Sequence, residues 1–160
     1  MGSEMCIRDS VGAGAAAIAG GAAATEDDLA WAEGILGSVG TVVRVPEHLL
    51  DAVTGLSGSG PAYVFLMAEA LIDGGVAAGL PRDVATALTQ QLLVGSARLL
   101  SESGEHPAQL RAQVTSPGGT TAAGLRELER AGMRAGVIEC VLAATRRSQE
   151  LGEGARQARS

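Results

Sequence analysis

The chain has 160 residues, enough for one ordinary domain with a sizeable core, or for one domain and part of another. Apolar residues make up 46% of the chain and aromatic residues only 2%, so the core has to be built from small aliphatic side chains, which suits closely packed helices. The net charge of −6 argues against a nucleic-acid or anionic-membrane surface as the partner.

The inventory of reactive side chains excludes several classes of site. All twelve basic residues are arginine, which excludes a Schiff-base lysine, a Walker A lysine and a lysine acid or base within this chain. Cys6 and Cys140 have no CxxC spacing, so we expect no disulfide framework, and a reducing cytoplasm fits best. His48 and His106 lie far apart without neighbouring Cys or His, so we expect no metal site.

Residues 1–10, MGSEMCIRDS, differ from everything that follows. They show no periodicity, and no apolar segment of signal-peptide length follows a basic start. MCIRDS resembles translated adapter sequence. We therefore expect residues 1–10 to be foreign to the protein or disordered, and we expect the protein to continue upstream of Val11.

A strand–helix–strand unit is predicted next. Residues 15–19 form a possible short strand, and residues 41–45, TVVRV, read as a second strand because they are β-branched and precede a proline. Between them, Thr25 can cap a helix that begins with three acidic residues, where the helix dipole favours negative charge. That helix should end at Gly37. This pattern is typical of the end of an α/β domain.

After Pro46 only helical patterns follow. Residues 61–72 are apolar nearly all round, so this helix should be enclosed by other helices, and it is too short to span a bilayer. Gly74 and Gly75 could end or loosen it, whereas Gly79 is a clearer stop.

Three more helices complete the prediction. Apolar residues at helical spacing indicate one over residues 82–100, and residues 107–114 indicate a short one. The last helix should reach about Leu151, which leaves residues 152–160 as a frayed tail.

Two stretches, residues 57–63 (SGSGPAY) and residues 116–122 (SPGGTTA), place Ser, Gly and Pro at predicted helix starts. A helix start of this kind binds anions through free amides and the positive end of the dipole. Two glycines in the first turn of a helix would each cost about 1 kcal/mol relative to alanine. A small carboxylate or phosphate on the amides of Gly118, Gly119 and Thr120 would explain why alanine does not stand there.

Simpler interpretations remain open. Ser116 could merely cap the helix while the glycines permit close packing, and the residues alone do not separate this from an anion site. For residues 57–63, a turn into a buried helix is favoured. Glu69 and Asp73 could form a carboxylate pair, but solvated or capping roles fit better, and Cys140 is typical of an inert core thiol.

Three segments together identify a family. LDAVTGLSGSGPAYVF at 50–65, GLPRDVA at 79–85 and HPAQLRAQVTSPGGTTAAGLRELE at 106–129 closely resemble pyrroline-5-carboxylate reductase, the last enzyme of proline biosynthesis. The resemblance runs from about Val11 to Leu151. The combination of SGSGPAY with VTSPGGTT at this separation is highly specific.

The resemblance implies a mainly α fold. Residues 48–151 would be an all-α dimerisation and substrate domain, similar to the C-terminal domain of 6-phosphogluconate dehydrogenase. Residues 11–47 would be the strand–helix–strand remnant of an NAD(P)-binding Rossmann domain. No cofactor-binding residue is expected in this chain, where GAG at 12–14 lacks the GxGxxG pattern.

The implied reaction is the reduction of 1-pyrroline-5-carboxylate to L-proline with NADPH or NADH as cofactor. Thr121 would be the catalytic residue, its hydroxyl reaching the ring nitrogen of the imine. The residues implied to bind the substrate are Ser116, Gly118, Gly119, Thr120 and Thr121. A cytoplasmic homodimer or higher homo-oligomer is implied, with no nucleic-acid or membrane partner.

One departure and two alternatives qualify this expectation. Ala112 stands where many members carry an acidic residue, which weakens a peripheral contact at most. A non-catalytic helical dimerisation module is the alternative function, and the truncated chain alone is expected to be inactive. The β-hydroxyacid dehydrogenases share the architecture but use a lysine, which this chain lacks.

Overall fold

The computed structural model describes residues 7–157 and confirms the predicted strand–helix–strand unit. Strand β1 (Gly14–Ile18) is followed by helix α1 (Glu26–Leu36) and strand β2 (Gly40–Arg44). The strands pair in parallel, with Gly14 opposite Gly40 and Ile18 opposite Arg44. Because parallel strands need a crossover connection, α1 is the crossover of a βαβ unit.

The start of α1 is capped as predicted. The Thr25 hydroxyl accepts a hydrogen bond from the Asp28 amide at 3.2 Å, and the Asp28 carboxylate accepts one from the Thr25 amide at 2.9 Å. The hydrogen bond from the Thr25 side chain also lowers the pKa of Asp28. Arg44 of β2 pairs with Glu26 and donates to both carboxylate oxygens of Glu33, which fastens α1 to the sheet.

The described chain beyond β2 is helical, so the predicted mainly α fold class is confirmed. The elements are α2 (Leu50–Val53), a π-helical turn (Thr54–Gly58), α3 (Gly60–Ala77), α4 (Arg82–Glu102), α5 (Pro107–Gln113), α6 (Thr120–Arg130) and α7 (Met133–Gln157). Short 3₁₀ turns lie at Ile7–Val11 and Glu47–Leu49. Within residues 7–157 no helix is long and apolar enough to cross a membrane.

The end of α3 agrees with the clearer of the two predicted stops, and the end of α7 differs from the predicted one. Gly74 and Gly75 do not end α3, which continues to Ala77. Gly75 instead permits close packing on α4, because a Cβ there would lie 3.1 Å from the Ala85 methyl group. The chain turns out of the helix at Gly79, whose φ of 104° lies in the region that favours glycine. Helix α7 continues six residues beyond Leu151, since no proline follows to break it.

The contacts of the chain define two units, Met1–Pro61 with Ile138–Ser160, and Ala62–Val137. Among the described residues, Ala85 is the one buried hydrophobic side chain, at 2% exposure. Phe65 and Leu66 of α3 are 55% and 68% exposed. The prediction that other helices enclose α3 is therefore wrong for the single chain, because no element within residues 7–157 covers this apolar surface.

Part of the segment expected to be foreign contacts the unit formed by the two chain ends. Arg8 donates hydrogen bonds to the backbone oxygen of Ser57 at 2.8 Å and to its hydroxyl at 2.9 Å. Residues 1–6, with Cys6, and residues 158–160 lie outside the described part of the chain.

Candidate functional site

The stretch SPGG at 116–119 forms a tight turn before α6. The Gly119 amide donates to the Ser116 carbonyl at 3.1 Å, and Gly118 has a φ of 71°. Proline as the second residue and a glycine with positive φ as the third are the signature of a type II turn. Gly118 is therefore required by backbone conformation, since other residues favour negative φ.

The position of Gly119 corrects the expectation that both glycines lie in the first helical turn. Gly119 is the N-cap residue in an extended conformation (φ −76°, ψ 171°), and α6 begins at Thr120. A Cβ on Gly119 would collide with the Ser116 hydroxyl oxygen. The expected cost of glycine within a helix therefore does not arise, because both glycines precede the helix; the turn requires glycine at Gly118, and Gly119 leaves room for the Ser116 hydroxyl.

The start of α6 has the amide pattern of an anion site. No side chain caps it. By helical geometry the amides of Thr120, Thr121 and Ala122 have no carbonyl partner within the helix. The Gly119 amide, by contrast, is already used in the turn. An anion in front of α6 would therefore meet the first three helical amides and the positive end of the helix dipole.

The turn gathers all five residues predicted to bind substrate into one continuous segment. The Ser116 side chain lies against the backbone of Gly119, and Thr121 is the second residue of α6. Ser116, Thr120 and Thr121 are exposed in the single chain. The segment can therefore accept a small ligand from solvent, and whether it binds one stays a prediction.

The second motif, SGSGPAY, does not form the predicted start of a helix after a loop. The π-helical turn Thr54–Gly58 joins α2 to α3 almost without interruption, and the Ser59 amide donates to the Thr54 carbonyl at 2.9 Å. Amides bonded in this way do not face an anion. Gly55, two residues before the motif and in the same π-helical turn, is buried against α7, close to the backbone of Val141 and Thr145. Its lack of a side chain serves packing.

A carboxylate that sequence reasoning did not single out links three helices at the C-terminal end of α6. Glu129 of α6 accepts a hydrogen bond from Arg134 of α7 at 2.5 Å and lies 4.0 Å from Arg111 of α5. The hydrogen bond from Arg134 lowers the pKa of Glu129, and the same contact raises the pKa of Arg134. No spacing rule predicts a pair between helices whose packing is unknown.

Sequence reasoning also missed the cap of α5, although a signal was present. His106 is its N-cap: the ring nitrogen Nδ1 accepts from the Ala108 amide at 3.2 Å, and the His106 amide donates to Gln109 at 3.1 Å. Proline at the first helical position and glutamine at the third mark such a helix start. His106 therefore has a structural role in the helix that leads into the turn.

The remaining candidates have ordinary surroundings. Asp73 pairs with Arg82 at 2.9 Å, between α3 and α4, rather than with Glu69. Cys140 lies half-buried on α7. In residues 7–157 no three His, Cys, Asp or Glu side chains are grouped so that they could hold a metal ion.

The βαβ unit does not fit the pyrophosphate of a dinucleotide. In dinucleotide-binding folds the phosphates contact free amides at a helix start. At α1 the Thr25 hydroxyl already accepts a hydrogen bond from the Asp28 amide. Glu26, Asp27 and Asp28 also place negative charge on the first turn. These groups repel phosphate, so no residue of this unit is assigned to a cofactor.

The structure predicts opposite effects for alanine at two glycines of this region. Gly119→Ala should destabilise the chain by about 1 kcal/mol, because alanine is a poorer N-cap than glycine and the new methyl group would lie 3.2 Å from the Ser116 carbonyl oxygen and displace the Ser116 hydroxyl. Gly124→Ala, in the middle of α6 with open space around it, should stabilise the chain by about 1 kcal/mol. Urea unfolding followed by circular dichroism measures both. Equal shifts of the same sign would contradict the turn geometry.

Comparison with known proteins supplies a family for this architecture. Residues 47–151 match the family model described as pyrroline-5-carboxylate reductase dimerisation. Over 143 residues the chain is 59% identical to a pyrroline-5-carboxylate reductase of Synechocystis, covering 89% of this chain and 54% of that protein. The corresponding protein of Arabidopsis thaliana is 51% identical over 143 residues, with coverage of 89% and 52%.

Solved structures agree with these matches. The enzyme of Coxiella burnetii superposes with a TM-score of 0.85 at 40% identity, covering 89% of this chain and 53% of that one. That of Plasmodium falciparum, solved with NADP bound, gives a TM-score of 0.84 at 34% identity, with coverage of 91% and 59%. The chain spans about half the length of the curated relatives it matches.

Proposed function

The chain belongs to the pyrroline-5-carboxylate reductase family, and on that premise we propose that it supplies the substrate-binding and dimer-forming part of such a reductase. The reaction is the NAD(P)H-dependent reduction of 1-pyrroline-5-carboxylate to L-proline. The observation that carries the proposal is the uncapped start of α6 behind the Ser116–Gly119 turn. It offers amides to a small carboxylate, and the substrate of this family has one.

The substrate carboxylate binds in front of α6. The amides of Thr120, Thr121 and Ala122 donate to it, and the Ser116 hydroxyl at the edge of the turn completes the site. Gly118 and Gly119 contribute by shaping the turn and leaving space above it, since the Gly119 amide is bonded to Ser116. Several amides aimed at one anion fix its orientation as well as its position.

Thr121 acts on the ring nitrogen of the substrate. The ring nitrogen of the substrate is bonded to the carbon that bears the carboxylate. With the carboxylate held at the helix start, this nitrogen comes within reach of the Thr121 hydroxyl. There it donates a hydrogen bond to the imine nitrogen, which makes the C=N carbon a better hydride acceptor, and it helps to protonate the amine as charge develops. The reaction needs no covalent nucleophile.

A reduced nicotinamide, NADPH or NADH, supplies the hydride. The βαβ unit does not fit its pyrophosphate, and we assign the start of α6 to the substrate carboxylate, so no cofactor contact is proposed for this chain. Accordingly, residues 11–47 correspond to the end of the dinucleotide-binding domain, and residues 48–151 to the dimerisation and substrate domain. The family match at 47–151 supports this division.

A joined reductase tests the function. It consists of residues 11–160 of this chain behind the segment of the Synechocystis relative that precedes the matched region. Mixed with 1-pyrroline-5-carboxylate, it should oxidise NADPH and form L-proline, measured by NADPH absorbance and by chromatography. A folded dimer that forms no proline would favour the alternative of a non-catalytic dimerisation module.

The dimer is tested on the chain itself. Leu66 lies 68% exposed on the apolar helix α3, inside the segment that matches the dimerisation family. Leu66→Glu should convert a dimer into a monomer, because a charge would have to be buried in the interface. Ile35→Glu, at an exposed apolar position outside that segment, should leave the dimer intact. Light scattering after size exclusion measures both, and a monomeric wild-type chain would overturn the proposal.

A further inference from the structure

Helix α6 has a polar feature at each end. Its N-terminal end is the proposed carboxylate site, and near its C-terminal end lies Glu129. The Glu129 carboxylate accepts a hydrogen bond from Arg134 of α7 at 2.5 Å and lies 4.0 Å from Arg111 of α5. One carboxylate thus links the helix that precedes the turn, the helix that follows it, and the next helix in the chain.

Packing alone does not set the spacing between α5 and α6. A groove of about 500 Å³ lies between the two helices. Its walls include Ala112 and Ala122, whose methyl groups are too small to fill it. Where side chains leave such a gap, dispersion contacts do not hold the helices at one distance. The charged contacts of Glu129 at the groove therefore add a restraint to the connecting turn and to the side-chain contacts that remain.

The positions of the two charges oppose their own helices. A carboxylate near a helix C-terminus and a cation in the first turn of a helix are both unfavourable with respect to the helix dipole. Glu129 is the second-last residue of α6, and Arg134 is the second residue of α7. Attraction across the turn at Ala131 and Gly132 offsets part of these costs. The pair therefore serves the junction between the helices rather than either helix alone.

We propose that Glu129 is a positioning residue for substrate binding: by tying α5 and α7 to α6, it fixes the direction in which the first amides of α6 point. This inference rests on the proposed function of the turn Ser116–Gly119. Glu129 belongs to α6, and its carboxylate lies 4.0 Å from Arg111 of α5. These two helices flank the turn, so a change in their spacing alters the turn directly. Glu129 does not touch the substrate in this arrangement.

The chain contains a matched control. Glu127 also lies on α6 and pairs with an arginine, Arg130, at 2.7 Å, but that pair lies within one helix. Glu127→Gln and Glu129→Gln therefore remove the same charge from the same helix, and only the second disconnects α5 and α7. The charge-exchanged variant Glu129→Arg with Arg134→Glu and Arg111→Glu restores both attractions in reverse.

The first test uses the full 160-residue chain and needs no activity. Hydrogen exchange of the hydrogen-bonded amides of Thr115, Gly119 and Ala123, measured by mass spectrometry, should become about three- to fivefold faster in Glu129→Gln, the change expected from loss of an exposed ion-pair network. It should stay unchanged in Glu127→Gln and return towards the original rate in the charge-exchanged variant. Equal exchange in Glu129→Gln and the original chain would overturn the proposal.

The second test uses the joined reductase. Glu129→Gln should raise the KM for 1-pyrroline-5-carboxylate about three- to fivefold while kcat stays within about twofold, since the site is misaligned but its groups are intact. Glu127→Gln should change neither constant. An unchanged KM in an active enzyme would refute the role of Glu129 and leave the function standing. If the original joined enzyme is inactive, the function fails, and hydrogen exchange alone decides the role of Glu129.

Discussion

Replacing Thr121 by alanine should lower the kcat of the joined reductase by about 100-fold, the lower end of what a positioned proton donor contributes. Thr121 is the second residue of α6, next to the amides proposed to hold the carboxylate. Removing its hydroxyl leaves those amides in place, so the KM for the imine should change much less than kcat. Steady-state kinetics with 1-pyrroline-5-carboxylate and NADPH measure both constants.

A conservative replacement separates the hydroxyl from the rest of the side chain. Thr121→Ser keeps the donor at the same position and should retain most of the turnover. The KM for NADPH should be the same in all three proteins, because no contact to the cofactor is assigned to Thr121. A loss of NADPH binding with normal kcat at saturation would contradict the assignment.

Replacing Gly55 by alanine should destabilise the chain by about 3 kcal/mol, at the upper end of the cost of overpacking. A Cβ at this position would lie 2.8 Å from the Val141 carbonyl oxygen and 2.9 Å from the Thr145 amide nitrogen, and it would collide with the Thr145 hydroxyl. Two of these atoms are backbone, so no side-chain rotation relieves the contact. The urea midpoint of the 160-residue chain measures the effect.

Gly58 is the control for Gly55 because it lies in the same π-helical turn. A Cβ on Gly58 would meet only the Thr54 side chain, at 3.6 Å or more, which is ordinary contact. Alanine there should be neutral or stabilising, since alanine is the better helix former by about 1 kcal/mol. If both variants lose stability equally, the π-helical turn rather than the contact with α7 is the cause.

The local elements were predictable because their signals lie within a few residues. Thr25 followed by three acidic residues marks a helix start, and β-branched TVVRV before Pro46 marks a strand. Both were found within a residue or two of the expected positions. Backbone propensity and capping depend on residues within one helical turn, so these elements can be recognised from the sequence without knowledge of the tertiary structure.

The two glycine motifs show where such reading fails. SGSGP and SPGG look alike as strings, yet one forms a π-helical turn packed on α7 and the other a type II turn before α6. Propensity is the same in both cases. The difference lies in the surroundings: Gly55, two residues before SGSGP in the same π-helical turn, faces the backbone of Val141, and Gly119 faces the hydroxyl of Ser116. Only the first is a contact between distant parts of the chain.

The apolar helix α3 was predicted as a helix, but not its surroundings. Its composition requires that water be excluded from it, and this holds whether the cover comes from the same chain or another. The structure leaves Phe65 and Leu66 more than half exposed, so the cover is not within the described chain. Hydrophobicity specifies that a surface is buried without specifying by what.

The sequence by itself therefore determined the helical class, the βαβ unit, the family and the segment that holds the candidate site. It also excluded lysine chemistry. Only the tertiary structure decided that both glycines of SPGG precede α6, that the Gly119 amide is used in the turn, and that Glu129 joins three helices. These features depend on the distance and direction between elements, which local propensity does not encode.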